Sequence, residues 1–287
     1  MDSPTSPNIS PNITPADASL LAPQSSAQRA VLRFAAGQRV AGDDHLAEEV
    51  PIALEYNGIS HAVMMATPAD LEDFALGFSL SEGILADPGE CYGIDVDYSG
   101  CGITVQLEVA TRAFAHLKER RRSMSGRTGC GLCGVDTLDQ VYRKLPTLTP
   151  DRALSAPAIR HALDALRGAQ SLARLTGATH AAAWCDSTGQ PQAVFEDVGR
   201  HNALDKLVGM MARKRMGTQD GFVLITSRAS VEMVQKAAMA GIAGLVAISA
   251  PTAAAARLAE ECGMTLVAFA RGADFVCYAN AHERLFA

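Results

Sequence analysis

The chain is 287 residues long, 48% hydrophobic and 20% charged, which supplies enough apolar material for a core and excludes wholesale disorder. Its 25 basic and 31 acidic side chains sum to −6, the wrong sign for a protein that coats nucleic acid, leaving room only for a local basic patch. Seven cysteines with a single close pair, Cys130 and Cys133, do not make a disulfide-stapled secreted scaffold.

Residues 1–28 are rich in Pro, Ser and Asn and almost free of large apolar side chains, so a disordered tail is expected. Met1-Asp2-Ser3-Pro4 shows neither a basic region nor an early apolar run, and the expectation is a reduced, cytoplasmic protein. Residues 29–116 read as a small α+β region of strands around one helix. Asn57-Gly58, between apolar runs at 50–56 and 59–65, is the strongest short hairpin signal. Thr67 is placed to cap a helix with Pro68 at its first position and Asp70 in its first turn. Leu71, Phe74, Ala75 and Phe78 then recur at helical spacing until Gly83. Residues 103–109 alternate as a half-buried strand does.

Residues 117–134 change character. Lys118, Arg120, Arg121, Arg122 and Arg127 stand against the single acid Glu119, and four glycines fall within residues 125–134, so this segment reads as a basic, glycine-rich loop. In residues 135–287, Leu138, Val141, Tyr142 and Leu145 mark a helix from Asp136. A helix over 157–168, a hairpin around Gly189 and a helix over 200–211 follow. The rest alternates: strand 222–226, helix 231–240 capped by Ser230, strand 245–249, helix 252–261, strand 265–270. Short links between these imply a parallel β-α-β-α-β unit and an α/β fold. The uncharged stretch 237–256 parses as helix end, strand and helix start, so no membrane span is expected. Ligands of such sheets lie beyond the carboxyl ends of the strands, here at 226–228, 249–252 and 269–272, where hydroxyls, guanidinium groups and helix N-termini suit an anion.

Cysteine reacts as the thiolate, which needs access and nearby positive potential. Cys130 and Cys133 follow an arginine-rich run, precede a helix start and are flanked by glycines. Four readings stand open at this point: a structural zinc site, a thioredoxin-like dithiol, an inert pair, and a nucleophile that carries sulfur as a persulfide. No second Cys pair or neighbouring His pair completes a zinc site. A zinc nucleobase deaminase fails because Gly129 stands where its proline belongs and the His-x-Glu or Cys-x-Glu partner is missing. Residues 195–206 pack Glu196, Asp197, Arg200, His201 and Asn202 around a strand-to-helix turn. They read either as a capped helix start or as a polar site wall with His201 as acid, base or donor.

These motifs together resemble the FdhD family of formate dehydrogenase accessory sulfur carriers. The likeness is carried by Glu49-Val50-Pro51-Ile52, by Thr67-Pro68 through Glu82-Gly83-Ile84, and by Gly129-Cys130-Gly131-Leu132-Cys133-Gly134. Residues 196–206, Thr226-Ser227-Arg228-Ala229-Ser230 and Glu232-Met233-Val234 complete it. The resemblance implies a cytidine-deaminase-like core without the metal, plus a smaller N-terminal strand and helix region, in a homodimer. It implies that Cys130 takes sulfur from a cysteine desulfurase as a persulfide, with Cys133 auxiliary. The sulfur then passes to a molybdenum or tungsten bis-pterin guanine dinucleotide cofactor destined for formate dehydrogenase. It further implies cofactor binding by Phe269, Ala270, Arg271, Gly272, Ala273 and Asp274. Asp274 is acidic where members often carry a base, which makes Arg271 and the Gly272 backbone the better contacts with phosphates. A non-catalytic cofactor chaperone and a thiol–disulfide oxidoreductase using Cys130 and Cys133 are the alternatives.

Overall fold

In a computed structural model the chain is described over residues 23–98, 102–122, 145–149, 154–280 and 285–286. β1 (Ser26–Ala35) and β2 (Gln38–Ala47) form an antiparallel ribbon closed by Ala36-Gly37, both at positive φ. Residues 26–28 therefore belong to a strand and not to the expected tail. The ribbon satisfies its backbone through its own ladder while most of its side chains stay exposed, so the alternation that announces a half-buried strand is absent.

β3 (Val50–Tyr56) and β4 (Ile59–Ala66) meet at Asn57-Gly58, with φ of 47° and 77°, the left-handed pair that the turn signal demands. Helix α1 (Leu71–Ser81) follows, then β5 (Cys91–Asp97) and β6 (Ile103–Val109), giving a four-stranded sheet in the order β4-β3-β6-β5. Phe74, Ala75 and Phe78 are buried as the spacing requires. The helix starts later than expected: Asp70, at φ 55°, holds the N-cap position without a side-chain bond. Thr67 cannot cap it because all three of its polar groups are engaged elsewhere. Its N–H donates to Asp197 Oδ2 at 3.0 Å, its hydroxyl accepts from the Val198 N–H at 3.2 Å, and its carbonyl accepts from Lys206 Nζ at 3.0 Å.

Helix α2 (Thr111–Arg122) corrects a second expectation. The basic run 118–122 is helical, so the boundary expected between residues 116 and 117 falls inside an element; the arginines are good helix formers and the glycines begin only at Gly126. Residues 123–144, which include the expected Asp136 helix and both Cys130 and Cys133, lie outside the described residues.

The C-terminal region holds β7 (Leu154–Ser155), α3 (Ala156–Ala169), α4 (Ser171–Thr176), β8 (His180–Asp186), β9 (Pro191–Asp197) and α5 (Arg200–Arg213). There follow β10 (Gly221–Ile225), α6 (Val231–Met239), β11 (Gly244–Ala247), α7 (Ala253–Cys262), β12 (Thr265–Arg271) and β13 (Asp274–Asn280). β14 (Leu285–Phe286) returns to pair with β7. The main sheet runs β13-β12-β11-β10-β8-β9, with β10, β11 and β12 parallel as expected and the remaining strands added antiparallel to their neighbours. Its strands bury both faces. Val223, Ile225, Leu245 and Leu266 join Met233, Val234 and Leu258 on one side, while Leu224, Val246 and Val267 meet Ile159, Leu163 and Leu166 of α3 on the other. No helix among the described residues is long and apolar enough to cross a membrane.

The two regions share one core, and α1 and α5 cross with their backbones in contact. A Cβ on Gly77 would collide with the Asp205 carbonyl, and one on Gly209 with the Asp73 carbonyl. This approach brings the smaller sheet and the end of α1 against the elements that carry the acidic and basic motif at 196–206.

Candidate functional site

At the carboxyl edge of the main sheet the strand-end loops are tied to one another by main-chain hydrogen bonds. The Ile248 N–H donates to the Ile225 carbonyl at 2.9 Å, Ala229 to Ala250 at 3.2 Å, Thr252 to Ala229 at 3.0 Å, and Phe269 to Ser249 at 3.2 Å. Thr226 extends the same seam toward β8, its hydroxyl accepting from the Ala181 N–H at 2.9 Å. The expected juxtaposition of 226–228, 249–252 and 269–272 is therefore present, as a continuous floor on which α6 and α7 begin.

The segment 269–274 is shaped by a bulge. Ala268 pairs with Val276 and Arg271 with Asp274, so Phe269 and Ala270 together oppose one residue of β13. Phe269 takes a φ of 51°, a strained value for a bulky side chain, and is 41% exposed with its ring 6.4 Å from that of Tyr278. Ala270 is fully buried, the one of the six expected contact residues that presents no surface. Arg271, Gly272, Ala273 and Asp274 are exposed, and Arg271 Nε is anchored on the Ile248 carbonyl at 3.3 Å, its side chain lying along the strand ends.

The motif at 196–206 divides into parts that the sequence alone runs together. Glu196 accepts from the Leu172 and Ala173 N–H groups at 2.8 and 2.7 Å and so caps α4. Asp197 and Lys206 form a wholly buried pair at 2.7 Å, and the second Asp197 oxygen accepts from the Gly199 N–H and Asn202 Nδ2 at 2.8 and 2.9 Å. Asp205 holds Lys236 through both oxygens at 2.9 Å, with Ser81 and Glu82 of the α1 terminus completing the ammonium's shell. Burial works against the Lys236 charge, but the Asp205 and Glu82 carboxylates outweigh it and raise its pKa. Thr67, Ser81, Glu82 and Lys236 are thus partners of this motif. Lys236 carries no signal in the sequence beyond an ordinary amphipathic helix, and Glu232 none beyond its place in the Glu232-Met233-Val234 motif, because only the α1–α5–α6 packing reveals what they face.

Arg200 and His201 belong to the open edge. His201 Nε2 lies 2.8 Å from Glu232 Oε2 and Arg200 Nη2 lies 4.0 Å from the same oxygen. Burial opposes the Glu232 charge, yet the His201 contact and the Arg200 guanidinium hold its pKa below the usual range. His180 sits half-buried beside them, and burial, with Arg200 and His201 adding to it, lowers its pKa.

Cys130 and Cys133 lie outside the described residues, so their surroundings are not part of this geometry. Four of the remaining cysteines can be compared: Cys91, Cys185, Cys262 and Cys277 are free thiols, and burial raises every one, Cys185 to about 12. None of the four has the environment of a reactive thiolate.

A family model described as the FdhD/NarQ family matches residues 47–286. The chain is 54% identical over 261 residues to a sulfur carrier protein FdhD of Bordetella petrii, covering 90% of this chain and 94% of that protein. It is 52% identical over 271 residues to the protein of the same name in Cupriavidus necator, covering 94% of each. Among solved structures, a protein of Desulfotalea psychrophila named as a formate dehydrogenase accessory protein superposes with a TM-score of 0.71 at 25% identity, over 91% of this chain and 99% of that one.

Proposed function

The chain belongs to the FdhD/NarQ family, and from that membership we propose that it is a sulfur carrier in the maturation of formate dehydrogenase. Cys130 receives sulfur from a cysteine desulfurase as a persulfide, with Cys133 assisting. The acceptor is a molybdenum or tungsten bis-pterin guanine dinucleotide, held as a substrate before its insertion into formate dehydrogenase. The protein works as a cytoplasmic homodimer. The names of relatives sharing about half of its residues support the sulfur-carrying role. The cysteine assignment is supported by the arginine-rich, glycine-flanked sequence around Cys130 and by the unreactive setting of the four thiols described above.

One observation carries the cofactor half of the reading: Phe269, an exposed aromatic on a strained bulge beside Tyr278, stands at the carboxyl edge of the parallel strands. Strain of this kind persists where the surroundings over-determine it and clusters at ligand clamps, and an exposed ring suits the face of a guanine. Arg271 and the exposed backbone at Gly272 and Ala273 supply donors next to it; Asp274 contributes backbone only.

Intact-protein mass after incubation with a cysteine desulfurase and cysteine tests the sulfur half. The expected gain is one sulfur atom, mapped to the peptide of Cys130 and abolished in Cys130→Ala, while guanine nucleotide binding survives. Persistence of formate dehydrogenase sulfuration in Cys130→Ala would replace the carrier by a cofactor chaperone.

A further inference from the structure

We propose that Arg200, His201 and Ser230 form a subsite for a phosphoryl group, set at the end of β10 between the first turns of α5 and α6. The inference rests on the nucleotide reading above only for the identity of the molecule that brings the phosphoryl group.

The first observation is a pair of unmet hydrogen-bonding groups. Arg200 Nε and the Ser230 hydroxyl are both shielded from solvent, and neither has a hydrogen-bond partner among the described residues. Ser230 occupies the N-cap of α6 without a bond from its hydroxyl to the helix, whereas the Ser155 and Thr252 hydroxyls cap their own helices at 3.2 Å. Buried polar atoms are nearly always satisfied, so two orphaned groups in one place point to an acceptor that fills the gap.

Side-chain chemistry is the second. Arg200 is 30% exposed and its nearest carboxylate is 4.0 Å away, so the guanidinium fork remains available to a planar or tetrahedral oxyanion. Glu232, the acid that would repel such a ligand, has His201 Nε2 2.8 Å from its Oε2, beside Arg200. Gly199 and Ser230 leave the first turns of α5 and α6 without side-chain caps, so the free N–H groups of both helices add to the same positive potential.

Position supplies the third. β10 and β12 end on the same sheet edge with β11 between them, a separation of two strand spacings, roughly 10 Å. A nucleoside diphosphate with its base at Phe269 spans that interval to bring its phosphates to Ser230, and Arg200, which opens α5 after β9, meets them across the first turn of α6, where its Nη2 lies 4.0 Å from Glu232 Oε2.

Calorimetric titration with pyrophosphate, guanosine and GDP separates the two ends. Arg200→Ala should weaken pyrophosphate and GDP about tenfold or more and leave guanosine unchanged. Ser230→Ala, which removes only an unpartnered hydroxyl and keeps the fold, should weaken the same two ligands a few-fold. Phe269→Ala should act the other way, on guanosine and GDP but not on pyrophosphate. Pyrophosphate binding that depends on Arg200 upholds the subsite even if GDP gains nothing from its base, in which case the nucleotide reading falls. Pyrophosphate and GDP affinities unchanged in Arg200→Ala, alongside a loss in Phe269→Ala, would overturn the subsite and leave the nucleotide reading intact.

Discussion

The Asp197–Lys206 pair and the Arg200–Ser230 edge, whose Arg200 lies between the two partners of the pair in sequence, are opposite in kind. In the pair every bond is made: Asp197 takes Lys206, Thr67, Gly199 and Asn202, and both charged side chains are fully excluded from solvent. At the edge, Arg200 Nε and the Ser230 hydroxyl lack hydrogen-bond partners among the described residues, and Phe269 is held exposed at positive φ. Counting charged residues cannot separate the two sets. Completeness of bonding does: a closed set joins the α1 region to the main sheet, and an open one leaves donors for something else.

The sharpest way to break this comparison is to open the closed set. Lys206→Ala leaves Asp197 buried with its charge unmatched, and a loss of about 3–5 kcal/mol is expected in urea denaturation. Arg200→Ala, at a position 30% exposed, should stay within about 0.5 kcal/mol of wild type. Replacing both partners, as Asp197→Asn with Lys206→Met, should recover part of the loss, because no lone charge remains and the amide oxygen still accepts from Gly199 and Asn202. A Lys206→Ala variant costing under about 1 kcal/mol would show that water or a neighbour reaches Asp197 and that the set is not closed.

A smaller effect of opposite sign is expected at the edge. Phe269→Gly removes the steric cost of a left-handed backbone, worth about 1–2 kcal/mol, and gives up the contact with Tyr278, for a net gain of about 1 kcal/mol in stability. Guanosine affinity should fall in the same variant. Stability and binding moving apart would mark Phe269 as held for a ligand; a variant both weaker in binding and less stable would make its ring a packing element.

Periodicity and turn chemistry carried most of the fold. Asn57-Gly58, the Leu71-Phe74-Phe78 spacing and the strand–helix alternation after Gly221 are all local signals, and each element they imply is present. What they missed is tertiary. The β1–β2 ribbon lacks a buried face to impose alternation, and α2 continues through arginines that look like a linker. Thr67 is drawn from its capping role by Asp197 and Lys206, far away in sequence. The edge was legible as a location, since strand ends can be read from strand order, but not as a constellation. Glu232 and His180 become neighbours of Arg200 and His201 only when β8, α5 and α6 assemble.

The smallest effect lies in the pH dependence of that assembly. Burial, and then the charges of Arg200 and His201, place the folded pKa of His180 below its ordinary 6.5. Above that pH the imidazole is neutral in both states and contributes no slope. As pH falls below about 6.5 the unfolded chain binds the proton first, so stability declines through the interval down to the folded pKa and the deficit is constant beneath it. Glu232 is depressed as well, and its contribution is lost only lower, as pH falls through the carboxylate range. Thermal midpoints measured from pH 7 to about 5.5 should therefore decline in wild type and decline less in His180→Gln. Saturating pyrophosphate should flatten the wild-type slope too, because an anion on Arg200 offsets the charge that disfavours protonation of its neighbour. A slope that pyrophosphate leaves untouched, while His180→Gln removes it, would put burial alone in charge of His180 and detach that residue from the open edge.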